Sequence, residues 1–321
     1  MGGDNKLNTS GINISETFKY RFDEHFDAVA TLGYNTSTAI RDVKNQTVDY
    51  YDYTGTKRET RVEPRQEDTY YIKTTARTNL YTLNFYLNWK RTFGSHNLGM
   101  MLGTQYSMKE YDYTATKALN ILPSLNIING IGEITLRNTK NEGPSRYQEA
   151  LLSYFARLNY NYKSKYLLEG NFRYDGSSKF QGDNKWGYFP SAAVAWDIAQ
   201  ESFMSNQHVL DQLKLRASFG VTGNQDIAAY STLGMLSGAS YGWGTSTSST
   251  GYWGYQFATP GITWEKTYQY DLGLDMSIGG FNITVDWFKK QTKDLLFQKQ
   301  VPKYNGCLLY TSPSPRDVEE S

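Results

Sequence analysis

The chain has almost no cysteine, no long apolar run and no surplus of charge of either sign, and each absence removes a class of protein. One cysteine, Cys307, among 321 residues rules out an internal disulfide framework and a cysteine-built metal centre. No stretch approaches the roughly 20 apolar residues that a helix needs to cross a bilayer, so only strands could carry this chain through lipid. Thirty-three basic residues against thirty-two acidic ones give a formal net charge of +1. With no basic stripe among them, nucleic acid is not an expected partner. A Gly-rich phosphate loop, an H-E-x-x-H pair and a G-x-S-x-G nucleophile turn are all missing. Neither a catalytic residue nor a cofactor is therefore expected.

What is present is an alternation of period two. Tyr166, Leu168, Gly170, Phe172 and Tyr174 fall on one face of a strand, and Glu169, Asn171, Arg173 and Asp175 on the other. Ten such stretches follow one another, joined by connections that are alternately short and long. That is the pattern of an antiparallel transmembrane β-barrel wall, whose short turns lie on one side of the membrane and whose long loops lie on the other. Mean hydropathy is only −0.61, as expected when every second residue faces water. Tyr, at 27 residues the commonest aromatic, suits an aromatic girdle at each interface because its ring is apolar and its tip polar.

The five hairpins can be followed along the chain. Ile12 to Phe22 turns through Asp23-Glu24-His25 into Phe26 to Tyr34, and Tyr81 to Trp89 turns near Arg91–Ser95 into Leu98 to Leu102. Tyr154 to Tyr162 turns through Lys163-Ser164-Lys165 into the strand quoted above. Tyr188 to Trp196 returns as Leu213 to Val221, and Tyr268 to Ile278 pairs with Phe281 to Trp287 through Gly279-Gly280, a favoured two-residue turn. Long loops are expected at about 35–68, 112–148 and 222–265. One structural unit is expected over residues 1–306.

Candidate functional residues are few. Tyr241, Trp243, Tyr252, Trp253 and Tyr255 lie in the longest Gly/Ser/Thr-rich loop, where flat rings could stack on sugars and polar tips could bond hydroxyls. The alternatives are that these rings pack the loop on itself or sit in the interfacial belt. Glu169, Arg173, Asp175, Lys214 and Arg216 are expected to line the lumen. His25, His96 and His208 are expected to be exposed turn residues, and Asp49, Asp52 and Asp112 to be solvated carboxylates without calcium-loop spacing. No metal site is expected.

Several ordered segments carry a family resemblance: Ser153-Tyr154-Phe155-Ala156-Arg157-Leu158, Arg173-Tyr174-Asp175-Gly176-Ser177-Ser178-Lys179-Phe180, Trp186-Gly187-Tyr188-Phe189-Pro190-Ser191, Thr222-Gly223-Asn224, Trp264-Glu265 and Asp294-Leu295-Leu296. Together, over roughly residues 150 to 306, they resemble the barrel of the SusC/RagA group of TonB-dependent outer-membrane transporters. The resemblance implies about ten strands of a larger barrel, of the 22-stranded plugged class. It also implies a place in the cell outer membrane and import of glycan oligosaccharides or peptides. The implied partners are a SusD-like surface lipoprotein, outer-membrane lipid and the TonB complex, the last engaged through an N-terminal region that this chain lacks. The Asp175–Phe180 and Trp186–Ser191 segments are expected to serve structure, with Trp186, Tyr188 and Phe189 anchoring a strand end at the headgroup level. The chain is expected to be a piece of a longer transporter, unable to close a barrel alone.

Residues 307–321 lack strand alternation and contain two prolines that would interrupt a ladder. They are expected to be a non-native tail translated from joined DNA, which resequencing the locus would test. Two other readings of the whole chain stay open. One is a passive outer-membrane channel or barrel-anchored adhesin, distinguished by the absence of an encoded plug. The other is a soluble all-β carbohydrate-binding protein or glycan hydrolase, which would turn its apolar faces into a core.

Overall fold

In the computed structural model, the described residues are 3–45, 48–61, 70–119, 134–136, 146–207, 209–243, 247–300, 309–313 and 318–320. Ten long strands form one antiparallel sheet: β1 (Gly3–Arg21), β2 (Phe26–Asn45), β3 (Tyr70–Phe93), β4 (His96–Leu119), β5 (Arg146–Tyr162), β6 (Tyr166–Ser177), β7 (Trp186–Asp197), β8 (Leu210–Asn224), β9 (Glu265–Ile278) and β10 (Phe281–Lys293). Each pairs with its sequence neighbours, so the order is that of the chain. The short strands Ile134–Leu136 and Val318–Glu320 add to β4 and β10. Among the described residues the ladder does not return from β10 to β1.

Local chemistry fixes the short turns. Gly279 and Gly280 both have positive φ, 52° and 86°, which a two-residue turn matched to strand twist requires and glycine tolerates without cost. At the first turn, Asp23 Oδ1 accepts from the backbone N–H groups of His25 and Phe26, each at 2.7 Å. Those two donors hold the Asp23 carboxyl below the usual carboxylate range. Between β5 and β6, Asn161 Oδ1 accepts from the Ser164 N–H at 2.8 Å, while Lys163 and Ser164 adopt positive φ without being glycine.

Residues 1–15, 33–81 and 108–148 form one compact unit. Residues 70–81 of β3 and 108–119 of β4 belong to it, and each of those strands, at 24 residues, is longer than the about 9–11 that suffice to cross a bilayer. The loops expected at 35–68 and 112–148 are thus partly strand, because polar alternation past the membrane still pairs. In this unit Tyr71 is buried beside Ala118 and donates to Asp42 Oδ1 at 2.5 Å. Val48–Tyr51 pairs with Lys57–Arg61 in a small separate sheet.

Residues 16–32, 82–107 and 149–321 form the second unit. Register aligns its apolar residues into continuous rows: Tyr160, Leu168 and Val194 in one, Tyr162, Tyr166 and Trp196 in the next. The rows continue through Ala217 and Leu272 to Trp287. On this face Leu168, Phe172, Val194, Leu272 and Trp287 are exposed, Phe172 at 46% and Trp287 at 57%, the reverse of a water-soluble fold. Stacked rings mark both ends of the face. Tyr166 lies 6.2 Å from Tyr162 and 6.4 Å from Trp196 at the short-turn end, and Trp186 lies 4.7 Å from Tyr174 and 6.4 Å from Tyr154 at the other. From Tyr166 to Tyr174 is about 26 Å of strand, of the order of an outer-membrane apolar band.

The segment expected to be loop over 222–265 contains a hairpin, Met235–Trp243 with Thr247–Gln256. Two further strands, Leu309–Pro313 and Leu296–Gln300, join it in a four-stranded sheet. Strand pairing therefore extends into the stretch where alternation was expected to fail. Pro313 sits at a strand's last residue, a position compatible with its missing N–H. Cys307 lies outside the described residues.

Candidate functional site

The face opposite the apolar rows is polar and charged, and its charges fall into two groups. Near the short-turn end, Arg216 on β8 donates to Asp275 on β9 through Nε at 2.7 Å and Nη2 at 3.0 Å, and reaches Asp286 on β10 at 3.0 Å. Gly273 stands opposite Arg216 in the ladder, and a Cβ there would lie 2.5 Å from Asp286 Oδ1 and 2.8 Å from the Arg216 guanidinium carbon. The missing side chain makes room for an arginine clamped across three strands. Lys214 pairs in register with Asp275. Glu169 accepts from Asn171 Nδ2 at 2.8 Å and lies 4.0 Å from Arg157. With Asn97, Asn159, Ser218 and Asp271, Glu169 and Arg216 line a hollow of about 570 Å³.

Arg173 and Asp175 form the other group, an ion pair at 3.2 Å with the guanidinium over the Phe155 ring. They stand six residues or more along the strand from the row of Arg216, roughly 20 Å away. The five charges thus share one face but do not converge.

Behind Asp175 the family-like segments meet in a small core. Phe180 (1% exposed), Phe189, Val221, Ile227, Ile262 and Trp264 (3% exposed) pack together. The Trp264 ring centroid lies 5.3 Å from Phe180 and 5.2 Å from Phe189, and its indole N–H donates to the Lys185 carbonyl at 3.0 Å. The Phe189 ring covers the backbone of Gly187 and Gly223, where any Cβ would collide with it. Lys179 pairs with Glu149 at 3.4 Å and donates to the Ile227 carbonyl at 2.9 Å. Trp186 and Tyr188 do lie on the apolar face as expected. Phe189 does not: strand alternation turns it into this core.

A hub at the short-turn rim was not foreseen from the sequence. Glu201, just after a 3-10 turn at Ile198–Gln200, accepts from the Tyr166 hydroxyl at 2.7 Å, from the Trp196 indole N–H at 3.1 Å and from Lys165 Nζ at 3.1 Å. Those donors, Tyr166 first, hold its carboxyl at about 2. Since that value lies below the ordinary 4.5, the interaction is complete above the ordinary value and is lost only as pH falls through about 2. Trp196 emission, taken as the difference between wild-type full-length protein and Glu201→Gln, should stay flat from neutral pH down through the ordinary carboxylate range and change only near the lower value. A change centred at the ordinary value would remove Glu201 as the acceptor.

The aromatic candidates sit in the hairpin of the long connection. Register sets Trp243 opposite Thr247, Tyr241 opposite Ser249, Tyr252 opposite Gly238 and Trp253 opposite Ser237. Tyr241, Trp243 and Trp253 therefore occupy register positions of one parity and Tyr252 the other, while Tyr255 falls at the irregularity beside Met235. Tyr252 is 73% exposed.

Among the histidines, His25 lies 3.5 Å from Glu24 and His96 bonds the Tyr160 hydroxyl at 2.7 Å; His208 lies outside the described residues. Asp52 Oδ1 accepts from the Thr54 and Thr56 backbone N–H groups, an Asx-type turn rather than an open ligand. No group of three or more metal-binding side chains occurs among the described residues.

An antiparallel sheet with an apolar, ring-bordered outer face and a charged inner one is the wall of a transmembrane β-barrel. The family model described as TonB dependent receptor-like, beta-barrel matches residues 2–315, and the chain belongs to that family, whose members lie in the outer membrane. It is 34% identical over 237 residues to TonB-dependent receptor P3 of Formosa agariphila, covering 71% of this chain and 23% of that relative. It is 38% identical over 162 residues to TonB-dependent receptor SusC of Bacteroides thetaiotaomicron, covering 48% of this chain and 16% of that relative. The solved structure of the RagAB peptide transporter has the same fold, with a TM-score of 0.81 at 19% identity over 97% of this chain and 33% of that one. The chain spans about a fifth of the length of the curated relatives it matches.

Proposed function

We propose that this chain forms part of the wall of a TonB-energised outer-membrane importer of oligosaccharides or peptides, working with a SusD-like surface lipoprotein. The observation that carries the reading is the family match over nearly the whole chain, joined to a row of exposed apolar side chains that includes Leu168, Val194, Leu272 and Trp287. SusC among its relatives and the RagAB peptide importer among its structural neighbours support the substrate classes. In this reading the wall provides the conduit, and Glu169, Arg173, Asp175, Lys214 and Arg216 line it. Energy enters from TonB, and no covalent chemistry or cofactor is needed.

Capture of substrate we assign to the long-connection hairpin, with Tyr241, Trp243, Tyr252, Trp253 and Tyr255 as stacking platforms for sugar rings. Each ring is expected to contribute roughly 1 kcal/mol, or about a fivefold change in affinity. Calorimetry with oligosaccharides on the full-length protein should therefore show a loss of roughly 25-fold for the Trp243→Ala, Trp253→Ala pair. Unchanged affinity would remove the hairpin from the site. A full-length protein that imports without TonB would remove the energised importer and leave a passive channel.

A further inference from the structure

Among the described residues, Arg91 and Lys163 are cations at the short-turn rim, on the lipid side, that make no ion pair. Arg91 continues the β3 row of Leu87 and Trp89, and its guanidinium carbon lies 4.8 Å from the Phe93 ring centroid. Lys163, in the turn after β5, lies with its ammonium 5.4 Å from the Tyr162 ring. Between them stands His96, which faces Phe93 across the Gly94-Ser95 turn and has its ring 4.5 Å from Tyr162. The two turns are tied together, the Lys163 N–H donating to the Ser95 carbonyl at 3.0 Å. Arg91 and Lys163 make no ion pair among the described residues, and both are exposed. Two carboxylates in other connections of this rim have partners of their own, Glu201 in Lys165, Tyr166 and Trp196, and Glu24 in His25.

A cation resting on a ring at the edge of an apolar face can meet a phosphate at the depth where acyl chains end. The Arg91 and Lys163 backbones are two strand spacings apart across the sheet and three residues apart along it, roughly 14 Å in all, and the lean of the Arg91 guanidinium onto the Phe93 ring carries its charge toward the turn that holds Lys163. Lys163 also occupies a left-handed backbone position, φ 53°, which glycine would take without strain. The turn nonetheless carries a lysine there. Short connections mark this rim as the periplasmic one, so the leaflet it meets is the inner leaflet of the outer membrane.

We propose that Arg91, Lys163 and the ring row Phe93–His96–Tyr162 form a site for an anionic phospholipid headgroup on the outside of the barrel. The site rests on the outer-membrane reading above, yet it makes a separate claim: preference for a net negative headgroup over a zwitterionic one. The guanidinium and the ammonium supply the charge, and the rings hold both side chains at the interface.

Native mass spectrometry of the full-length receptor in mild detergent would test it, with phosphatidylglycerol and phosphatidylethanolamine titrated separately. Wild type should retain phosphatidylglycerol preferentially, by about fivefold for each cation. Arg91→Gln with Lys163→Gln should lower that preference to near parity, and Arg91→Lys with Lys163→Arg should keep it. Heat-modifiable mobility on gels reports whether each variant still forms a barrel. Equal retention of the two lipids by wild type overturns the proposal whatever the variants do, as does undiminished preference in the double Gln variant. A heat-modifiable barrel without lipid preference would sink this site alone. A full-length protein soluble without detergent would sink the membrane reading beneath it.

Discussion

Phe172→Arg should cost the full-length receptor about 2–4 kcal/mol when folded into lipid vesicles, the penalty for a charged side chain near the middle of the apolar band. Phe172 lies between the two ring rows, in register with Ala156 on one side and Pro190 on the other, and its side chain is already exposed. In a water-soluble sheet the same exchange at an exposed position would change stability by no more than about 0.5 kcal/mol, so the size of the loss separates lipid from water. Urea unfolding from vesicles, followed by heat-modifiable mobility, provides the measurement. A near-zero effect would return the soluble carbohydrate-binding reading to first place. Glu169→Gln, on the polar face of the same strand, should change little and serves as the control for expression and insertion.

The second large effect is expected at Trp264. Removing its ring takes the centre out of the cluster of Phe180, Phe189, Val221, Ile227 and Ile262 and leaves the Lys185 carbonyl without its donor. Trp→Ala substitutions in packed cores cost about 3–5 kcal/mol, and here the loss should be local, because this core fastens the base of the long connection rather than the ladder. Hydrogen exchange should show lost protection at the amides of Ile227 and Ile262, whose hydrogen bonds run to Gln225 and Thr259, with the β6–β7 ladder unaffected. Trp264→Phe keeps most of the packing and loses the indole bond, about 1 kcal/mol, and should fall between. If Trp264→Ala leaves protection at Ile227 intact, the cluster is not what holds the loop.

The small core also explains why the most family-like segments look as they do. Phe180 comes from the β6–β7 connection, Phe189 from β7 and Trp264 from the end of the long connection before β9, and Gly187 and Gly223 are small because the Phe189 ring lies on them. Reading Trp186, Tyr188 and Phe189 as one anchor missed the consequence of the alternation itself: neighbours in a strand point to opposite faces, so Phe189 had to leave the lipid side. The Glu201 hub was hidden for another reason. Tyr166, Trp196 and Lys165 are brought to one carboxylate by pairing β6 with β7 and by a 3-10 turn, and no spacing in the chain announces that meeting. The same holds for Arg216, whose partners Asp275 and Asp286 are 59 and 70 residues away.

Loop extents were legible only in part. Strands β2, β3 and β4 run far past the membrane band because polar alternation continues to pair after the apolar residues stop, and a reader following hydrophobicity ends the strand too early. The hairpin is rich in Gly, Ser and Thr, residues that favour turns and strands weakly, so its composition gave no strand signal although Met235–Trp243 pairs with Thr247–Gln256.

By itself, then, the order of residues settled the alternation of faces along the strands and the places of the short turns. Those properties are local, written in a period of two and in turn residues such as Gly279-Gly280. Tertiary structure alone decided which distant groups share a partner, because register across a ladder sets neighbours that sequence separation conceals. The arginine clamp, the Glu201 hub and the Trp264 core each depend on that alignment.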